Sequence, residues 1–343
     1  MSISLSSSTT PEITFPAIEP ISEQIDRPFW SVMITSYNRT EYLEQCIKSV
    51  LAEGFSPEEM QIEVVDDHST KADIEKIVQS VAPDRVSFYR QPKNVGISEN
   101  WNTCVRRAYG RWVHILSDDD QILPGFYKNY RRQIEYRRSC LFIVGQSVFI
   151  NEKDQWIGIS PPMPASDGLF GDAKRVLATG CPIRVTGIVV AREAYEKVGG
   201  FSPDLVFALD WEMWARLAAT VEVGYVNRPF SLYREHDGSA SMRLVLEGTV
   251  FSDRVKAAKA IQTRFSEPED KKQIQLMLNK HLSDSCQTLS GVLIRRIYYG
   301  AAIKQAVLAI QVNPSFYSLK NFFSVVVKIC MKIAASRFKA GIQ

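Results

Sequence analysis

The chain has 343 residues, 45% of them apolar and 23% charged, with a formal net charge of +3. That balance belongs to an ordinary globular protein of one large domain plus an appendage, or of two domains. No apolar run approaches the roughly 18–20 residues that span a bilayer. The six cysteines stand singly, outside any disulfide framework or metal-finger spacing, and the four histidines are too scattered for a zinc site.

In chain order, "MSISLSSSTTPEITFPAIEPISEQIDRP" has no basic n-region and no continuous apolar core, so it is not read as a signal peptide. Its Ser, Thr and Pro content predicts a flexible leader over 1–28. "WSVMITSY" (30–37) is an apolar, β-branched run of strand length. After the polar break "NRT", Leu43, Cys46, Ile47, Val50 and Leu51 recur at helical spacing, with Thr40 as the expected N-cap. "IEVVDD" (62–67) predicts a second strand, "KADIEKIVQSV" (71–81) a second helix and "VSFYR" (86–90) a third strand. A helix through Trp101, Cys104, Val105 and Ala108 stops at Gly110, and "RWVHIL" (111–116) predicts a fourth strand. Later come a strand in "LFIVGQSVFI", a strand and helix in "RVTGIVVAREAYEKVGGF", a helix opened by "DWEMWARLA" (210–218) and strand character in "VGYVNRPFSLYREH" (223–236). From 250 onward helical periodicity dominates.

Strands alternating with helices predict an α/β fold with a mostly parallel, Rossmann-like sheet flanked by helices. Ligands of such sheets bind beyond the carboxyl ends of the strands. Three polar clusters fall there: "TSYN" (35–38), "DDHS" (66–69) and "SDDD" (117–120). One surface therefore gathers hydroxyls and carboxylates from three segments. No G-x-G-x-x-G follows the first strand and no G-x-x-x-x-G-K-[ST] occurs, which argues against a dinucleotide dehydrogenase and a P-loop NTPase. An aspartate-lined crevice suits a hard cation, Mg²⁺ or Mn²⁺, which takes one or two carboxylates and completes its shell with substrate phosphates.

"SVMITSYNRTEYLEQCIKSVL", "IEVVDDHST", "QPKNVGISENWN" and "RWVHILSDDDQILP", in this order, resemble the inverting nucleotide-sugar glycosyltransferases of family two, which have the GT-A fold. The resemblance covers roughly residues 30–240. It implies a catalytic domain over 29–245, with a nucleotide-binding part to about 125 and an acceptor part beyond, followed by a helical extension over 246–343. It further implies that Thr35 and Tyr37 line the nucleotide base and that Asp67 accepts a hydrogen bond from it. The cluster Asp118–Asp120 is similar to the D-x-D motif that holds ribose and metal. Counting back from Pro124 makes Asp119 the metal ligand, whereas a literal reading selects Asp118 and Asp120. We take Asp118 for the nucleotide sugar, and Asp119 and Asp120 for the metal. Trp101 stands where many members carry arginine, which puts a diphosphate contact there in doubt.

"LDWEMWARL" resembles the segment whose acid, here Asp210, is the general base that takes the acceptor hydroxyl's proton. Glu212 is a weaker alternative, and Arg216 is expected to pair with these acids rather than touch substrate. "YREHDGSAS" (233–241) resembles a loop in which Arg234 and His236 meet the departing diphosphate. Its small residues Gly238, Ser239 and Ala240 imply a loop that closes over the donor.

The implied reaction moves a sugar from a nucleoside-diphosphate sugar, UDP favoured, to a hydroxyl acceptor in polysaccharide or glycolipid assembly. The hydroxyl acceptor itself is not legible in the sequence; a lipid-linked molecule and a growing glycan both fit the resemblance. A nucleotide-sugar-forming nucleotidyltransferase would need a Gly- and Lys/Arg-rich loop after the first strand, and an inactive membrane-associated scaffold would not need the intact acids. The last acid is Asp284; beyond it lie Arg295, Arg296, Lys304, Lys320, Lys328, Lys332, Arg337 and Lys339. The segment 317–339 places Asn321, Ser324, Lys328 and Lys332 on one helical face, the profile of an interfacial helix. It equally fits a helix docked on the catalytic domain with solvated lysines. The interleaving of basic with aliphatic residues argues against nucleic acid. The chain is expected in the cytoplasm, with any membrane contact peripheral.

Overall fold

The computed structural model describes residues 13–22, 24–164 and 166–340, with side chains to residue 335. The described chain divides into two compact units, one of residues 13–177 with 181–237 and one of 178–180 with 238–340.

The first unit is built on β1 (Trp30–Ser36), α1 (Leu43–Leu51), β2 (Met60–Asp66), α2 (Ile74–Val81), β3 (Ser87–Arg90), α3 (Ile97–Arg107), β4 (Trp112–Ser117), β5 (Gln121–Ile122) and α4 (Phe126–Tyr136). It continues through β6 (Cys140–Ile150), β7 (Trp156–Ile159), β8 (Gly168–Leu169), α5 (Ala173–Ala178), β9 (Ile188–Ala191), α6 (Arg192–Val198), α7 (Leu209–Ala218) and β10 (Glu222–Arg234). One mixed sheet runs in the order β3-β2-β1-β4-β9-β6-β10-β5. β1 is parallel to both β2 and β4, β2 to β3, and β6 to β10, whereas β9 is antiparallel to β4 and β6. β1 and β2 lie in the middle of this half of the sheet, and their apolar residues Val32, Ile34, Ile62 and Val64 are buried. This is why β1 reads as a near-continuous hydrophobic run, while β2 also buries Gln61 and Glu63. α1 buries Leu43, Cys46, Ile47 and Val50, the stripe its spacing indicates, although its N-cap is Tyr42 rather than Thr40. Gly110 leads into β4 where a Cβ would stand 2.6 Å from the Trp30 carbonyl carbon, so that close backbone approach requires glycine.

The expected flexible leader is corrected over its described part; residues 1–12 lie outside the described residues. Ile18 is buried, Pro16 accepts a hydrogen bond from Gly200 N (2.8 Å), and Arg27 reaches the carbonyls of Tyr109 and Gly110 at 2.8 Å. Phe15 receives the Arg216 guanidinium on its face at 3.9 Å. The apolar residues scattered among the prolines find partners one by one, so no periodic signal advertises them.

The second unit contains α8 (Ala240–Glu247), α9 (Val250–Gln262), α10 (Pro268–Arg295), α11 (Tyr299–Val312) and α12 (Phe316–Ala340). Its boundary falls at 237/238 instead of 245/246. Ser239 caps α8, its Oγ accepting from Met242 N at 3.2 Å, so the small residues 238–240 open a helix rather than form the expected closing loop. Buried Leu278, Leu282, Cys286 and Leu293 of α10 and Ala302, Ala306 and Ala309 of α11 form an interior. Ser283 and Ser290 reach the carbonyls of Ala309 (3.0 Å) and Ala302 (2.8 Å) across it.

Candidate active site

β1 ends between two parallel neighbours, and its pairing sets the site. Ser36 lies opposite Asp66, and Thr35 opposite both Val65 and Ser117. Beyond the pairing, Asp67 N donates to Ser36 O (2.9 Å) and Asp118 N to Thr35 O (3.1 Å). The acids of β2 and β4 therefore flank the turn that carries Tyr37. Asn38 and His68, in the loops leaving β1 and β2, both hold positive φ (55° and 60°). Asparagine and histidine are among the residues that tolerate this best. Asn38 Oδ1 accepts from Thr70 N and Lys71 N at 2.8 Å each, fastening one loop to the other.

Asp67 is buried and accepts from Val95 N (2.7 Å), Gly96 N (3.0 Å) and Asn94 Nδ2 (3.1 Å). It thus fixes the loop that begins α3, where Gly96 at φ +82° makes the turn. Burial raises its pKa, with the two backbone donors opposing. Tyr37 keeps 38% of its surface exposed at the same end of the sheet, and Thr35 is half-buried.

Each of the three consecutive aspartates has its own partners. Asp118 accepts from Ser36 Oγ (2.7 Å) and lies 3.6 Å from Arg39 Nε. Burial pushes its pKa up to about 7, against the pull of Arg39. Asp119 Oδ2 meets Arg39 Nη1 and stands 3.0 Å from His236 Nε2. Burial opposes its ionisation, but His236 and Arg39 overcome this and hold the carboxyl below the usual carboxylate range. Asp120 turns inward to Thr186 Oγ1 and Arg234 N (2.9 Å), and burial and the Asp119 charge raise it well above that range. Its expected role as a second metal ligand is corrected: both oxygens face interior donors.

Asp210 opens α7 and accepts from Trp211 N at 2.7 Å, with Cys181 Sγ 3.9 Å away. The structure relates it to the triple-aspartate turn through Tyr233. Burial raises the pKa of that phenol, and the charges of Asp120, Asp119 and Asp210 add to the rise while Arg184 opposes it. Arg184 also stacks over the rings of Phe149 and Tyr233, at 5.2 and 5.4 Å. Glu212 is fully buried and paired with Arg216 at 2.9 Å; Arg216 further serves the carbonyls of Val198, Gly199 and Gly200. The pair is therefore a structural clamp, and Glu212 drops out as an alternative base.

The diphosphate contact expected of Arg234 is corrected too. Its guanidinium is completely covered and is spent on Asp119 O (2.8 Å), Asn151 O (3.0 Å) and Asp154 Oδ1 (2.6 Å), lying over Tyr42. A strand-end arginine beside a histidine reads as a substrate clamp, but here it holds the aspartate turn in place. His236 does reach the site, its ring edge-on to Tyr42. Trp101 is buried edge-on to Phe201 at 5.1 Å and belongs to the core.

Residues 31–199 match the model of "Glycosyl transferase family 2". That segment belongs to the family. The chain is 27% identical over 240 residues to a putative teichuronic acid biosynthesis glycosyltransferase of Bacillus subtilis, covering 68% of this chain and 85% of that one. It is 34% identical over 101 residues to a GalNAc(5)-diNAcBac-PP-undecaprenol beta-1,3-glucosyltransferase of Campylobacter jejuni, covering 29% of this chain. The match spans about a third of that relative, 32%, and likewise 33% of an uncharacterized Rickettsia conorii glycosyltransferase. The fold resembles that of residues 1–349 of S. aureus TarS, with TM-score 0.63 and 15% identity over 88% of this chain and 87% of that one. TarS has also been solved with UDP-GlcNAc.

Within this glycosyltransferase, Arg39, Thr186, Tyr233 and Arg184 are site residues that sequence reasoning missed. Arg39 alone carried a signal, a cation two residues after Tyr37 at the end of the sheet where the acids gather. As for a metal, no group of three or more His, Cys, Asp or Glu is arranged to cage one among the described residues. A cation of the Mg²⁺ or Mn²⁺ type does not need such a cage. At the aspartate turn Asp119 offers one carboxylate, its Oδ2 met by Arg39 Nη1 and by His236 Nε2 at 3.0 Å. That donor set fits a site with few protein ligands, completed by phosphate oxygens and water.

Proposed function

We propose that the enzyme is an inverting, UDP-sugar-dependent transferase that passes a sugar to a hydroxyl acceptor in cell-surface polysaccharide or glycolipid assembly. The observation that carries this reading is the separation of acids by role. Asp67 and Asp118 flank the β1 turn, Asp119 faces a histidine and an arginine, and Asp210 opens α7 within electrostatic reach of Tyr233. The teichuronic acid and undecaprenol-linked relatives and the UDP-GlcNAc complex of TarS support the donor and the setting by likeness.

In this reading Tyr37 stacks on the base beside Thr35, while Asp67 reads the base and braces α3. Asp118 lies where the ribose would sit. The acceptor oxygen forms a bond to the anomeric carbon as the bond to the diphosphate oxygen breaks on the opposite face. Asp210 takes the acceptor proton, its carboxyl oriented by Trp211 N. Charge accumulates on the departing diphosphate near Asp119, where Arg39 and His236 offer compensating donors. Mn²⁺ or Mg²⁺, if held by Asp119, would supply further Lewis-acid stabilisation there.

Titration calorimetry with UDP, in chelator and then with Mn²⁺, tests the donor assignment. Binding that appears or tightens at least about tenfold with Mn²⁺ supports it. Absence of UDP binding under both conditions, with another nucleoside diphosphate binding instead, refutes the UDP reading. Full transfer activity in chelator refutes the metal.

A further inference from the structure

α12 is amphipathic in an unusual sense, because the side turned away from its own unit is the apolar one. Ser318, Val325 and Ile329, at spacings of seven and four, are buried, and Lys332 Nζ reaches the Ile294 carbonyl at 3.3 Å. Half a turn away, Phe316, Phe323, Val327 and Met331 share a face at spacings of seven, four and four, and are 83, 58, 55 and 67% exposed. The row extends about 22 Å at 1.5 Å per residue. Leu319 and Cys330 widen it on one side, both exposed. Lys328 borders it on the other, Lys320 falls within the row, in angle between Val327 and Met331, and Lys332 lies toward the docked side. The helix thus docks within its own unit and still presents an apolar face.

We propose that this face of α12 lies in the interface of a bilayer containing anionic lipid. Charge decides between occupants. From residue 285 to the C-terminus there are eight basic residues and no acid. A second copy packed on the same face would bring its own lysines and no carboxylate of α12 to pair with them, whereas lipid phosphates can pair with Lys320 and Lys328. No helix among the described residues is long and apolar enough to cross a membrane. Phe, Val and Met side chains would sink to the level of the acyl boundary while Lys320 and Lys328 extend to the headgroups. Each lysine near an anionic surface adds about fivefold to the partition. An acceptor carried on a lipid would then be held at the surface where the enzyme sits. The inference itself does not rest on the donor or metal assignment.

The test is vesicle co-sedimentation of the full chain with phosphatidylcholine alone and with added phosphatidylglycerol, at low and high salt. Binding should require the anionic lipid and weaken with salt. Phe323→Ser combined with Val327→Ser changes exposed residues outside the catalytic unit. It should weaken binding by more than about tenfold while leaving the melting temperature and UDP binding unchanged. A polarity-sensitive fluorophore on the exposed thiol of Cys330 should blue-shift on anionic vesicles. Failure of the wild type to bind these vesicles overturns the proposal, as does undiminished binding by the double variant. Light scattering that shows a dimer dissolved by the double variant would assign the face to a second copy instead.

Discussion

Arg39 is the residue whose removal asks most directly what keeps three adjacent carboxylates together. Its Nε stands 3.6 Å from Asp118 Oδ1 and its Nη1 meets Asp119 Oδ2, while the side chain keeps 21% of its surface exposed. Burial works against the charged guanidinium, yet Asp118, Asp119 and Asp120 outweigh it and raise the pKa. A pair at this distance attracts by roughly 4–5 kcal/mol at an effective dielectric of 20. Partial exposure and the desolvation of the cation offset part of that. Asp118 supplies a second limit. With a pKa already at about 7 it can take up a proton at neutral pH instead of suffering unpaired charge. Arg39→Ala should therefore cost about 1–3 kcal/mol near pH 7, less than breaking a buried pair that cannot neutralise.

The sign with pH follows. The Asp118 pKa is raised in the folded protein, so the native state holds a proton that the unfolded chain loses from about pH 4 upward, and stability falls as pH rises through about 7. Without Arg39 that pKa rises further, the losing window extends upward, and the deficit of the variant should be larger at about pH 8 than at about pH 6. All six tryptophans lie between residues 30 and 214, so urea unfolding followed by tryptophan fluorescence reports on the catalytic unit alone. Millimolar Mn²⁺ should restore more stability to Arg39→Ala than to the wild type, because the ion meets carboxylates that no longer have a cation. A variant as stable as the wild type at both pH values, or one that Mn²⁺ helps no more than the wild type, would show that the aspartate turn does not depend on Arg39 for its charge.

Asp210→Asn should retain UDP affinity while turnover falls by ~10²–10⁴, the usual loss for a positioned general base. Unchanged turnover, measured with a saturating donor, removes Asp210 from that role. His114 gives a separate pH signature: burial lowers its pKa to about 4, while its Nε2 donates to Thr186 O (3.0 Å) and its Nδ1 accepts from Tyr127 Oη (2.8 Å). The unfolded chain then binds a proton that the native state refuses between pH 6.5 and 4, so stability should drop by up to ~3 kcal/mol as pH falls through that window. His114→Gln should flatten this acid limb in tryptophan-monitored urea titrations; an identical slope would rule out His114 as its source.

The fold was legible where the physics is local or periodic. A strand buried on both faces, such as β1, reads as a mostly apolar run through Trp30, Val32, Met33 and Ile34, and α1 shows its buried stripe in Leu43, Cys46, Ile47 and Val50. Parallel pairing then places Asp67 and Asp118 on either side of Tyr37, because strands joined by right-handed crossovers end on the same edge. What stayed hidden is the set of partners that neutralise or satisfy those acids. Thr186 reaches Asp120 from sixty-six positions away, and Arg234 spends its charge on the main-chain oxygens of residues 119 and 151. No pattern of residue types encodes such pairings, since they depend on where β10 and the segment before β9 come to rest. Arg39 is the instructive exception. Three carboxylates buried at one strand end oblige the chain or its ligand to supply positive charge. A cation in a loop on that edge could be inferred from topology alone, and reading "TSYNRT" only for a glycine-rich phosphate loop passes over it.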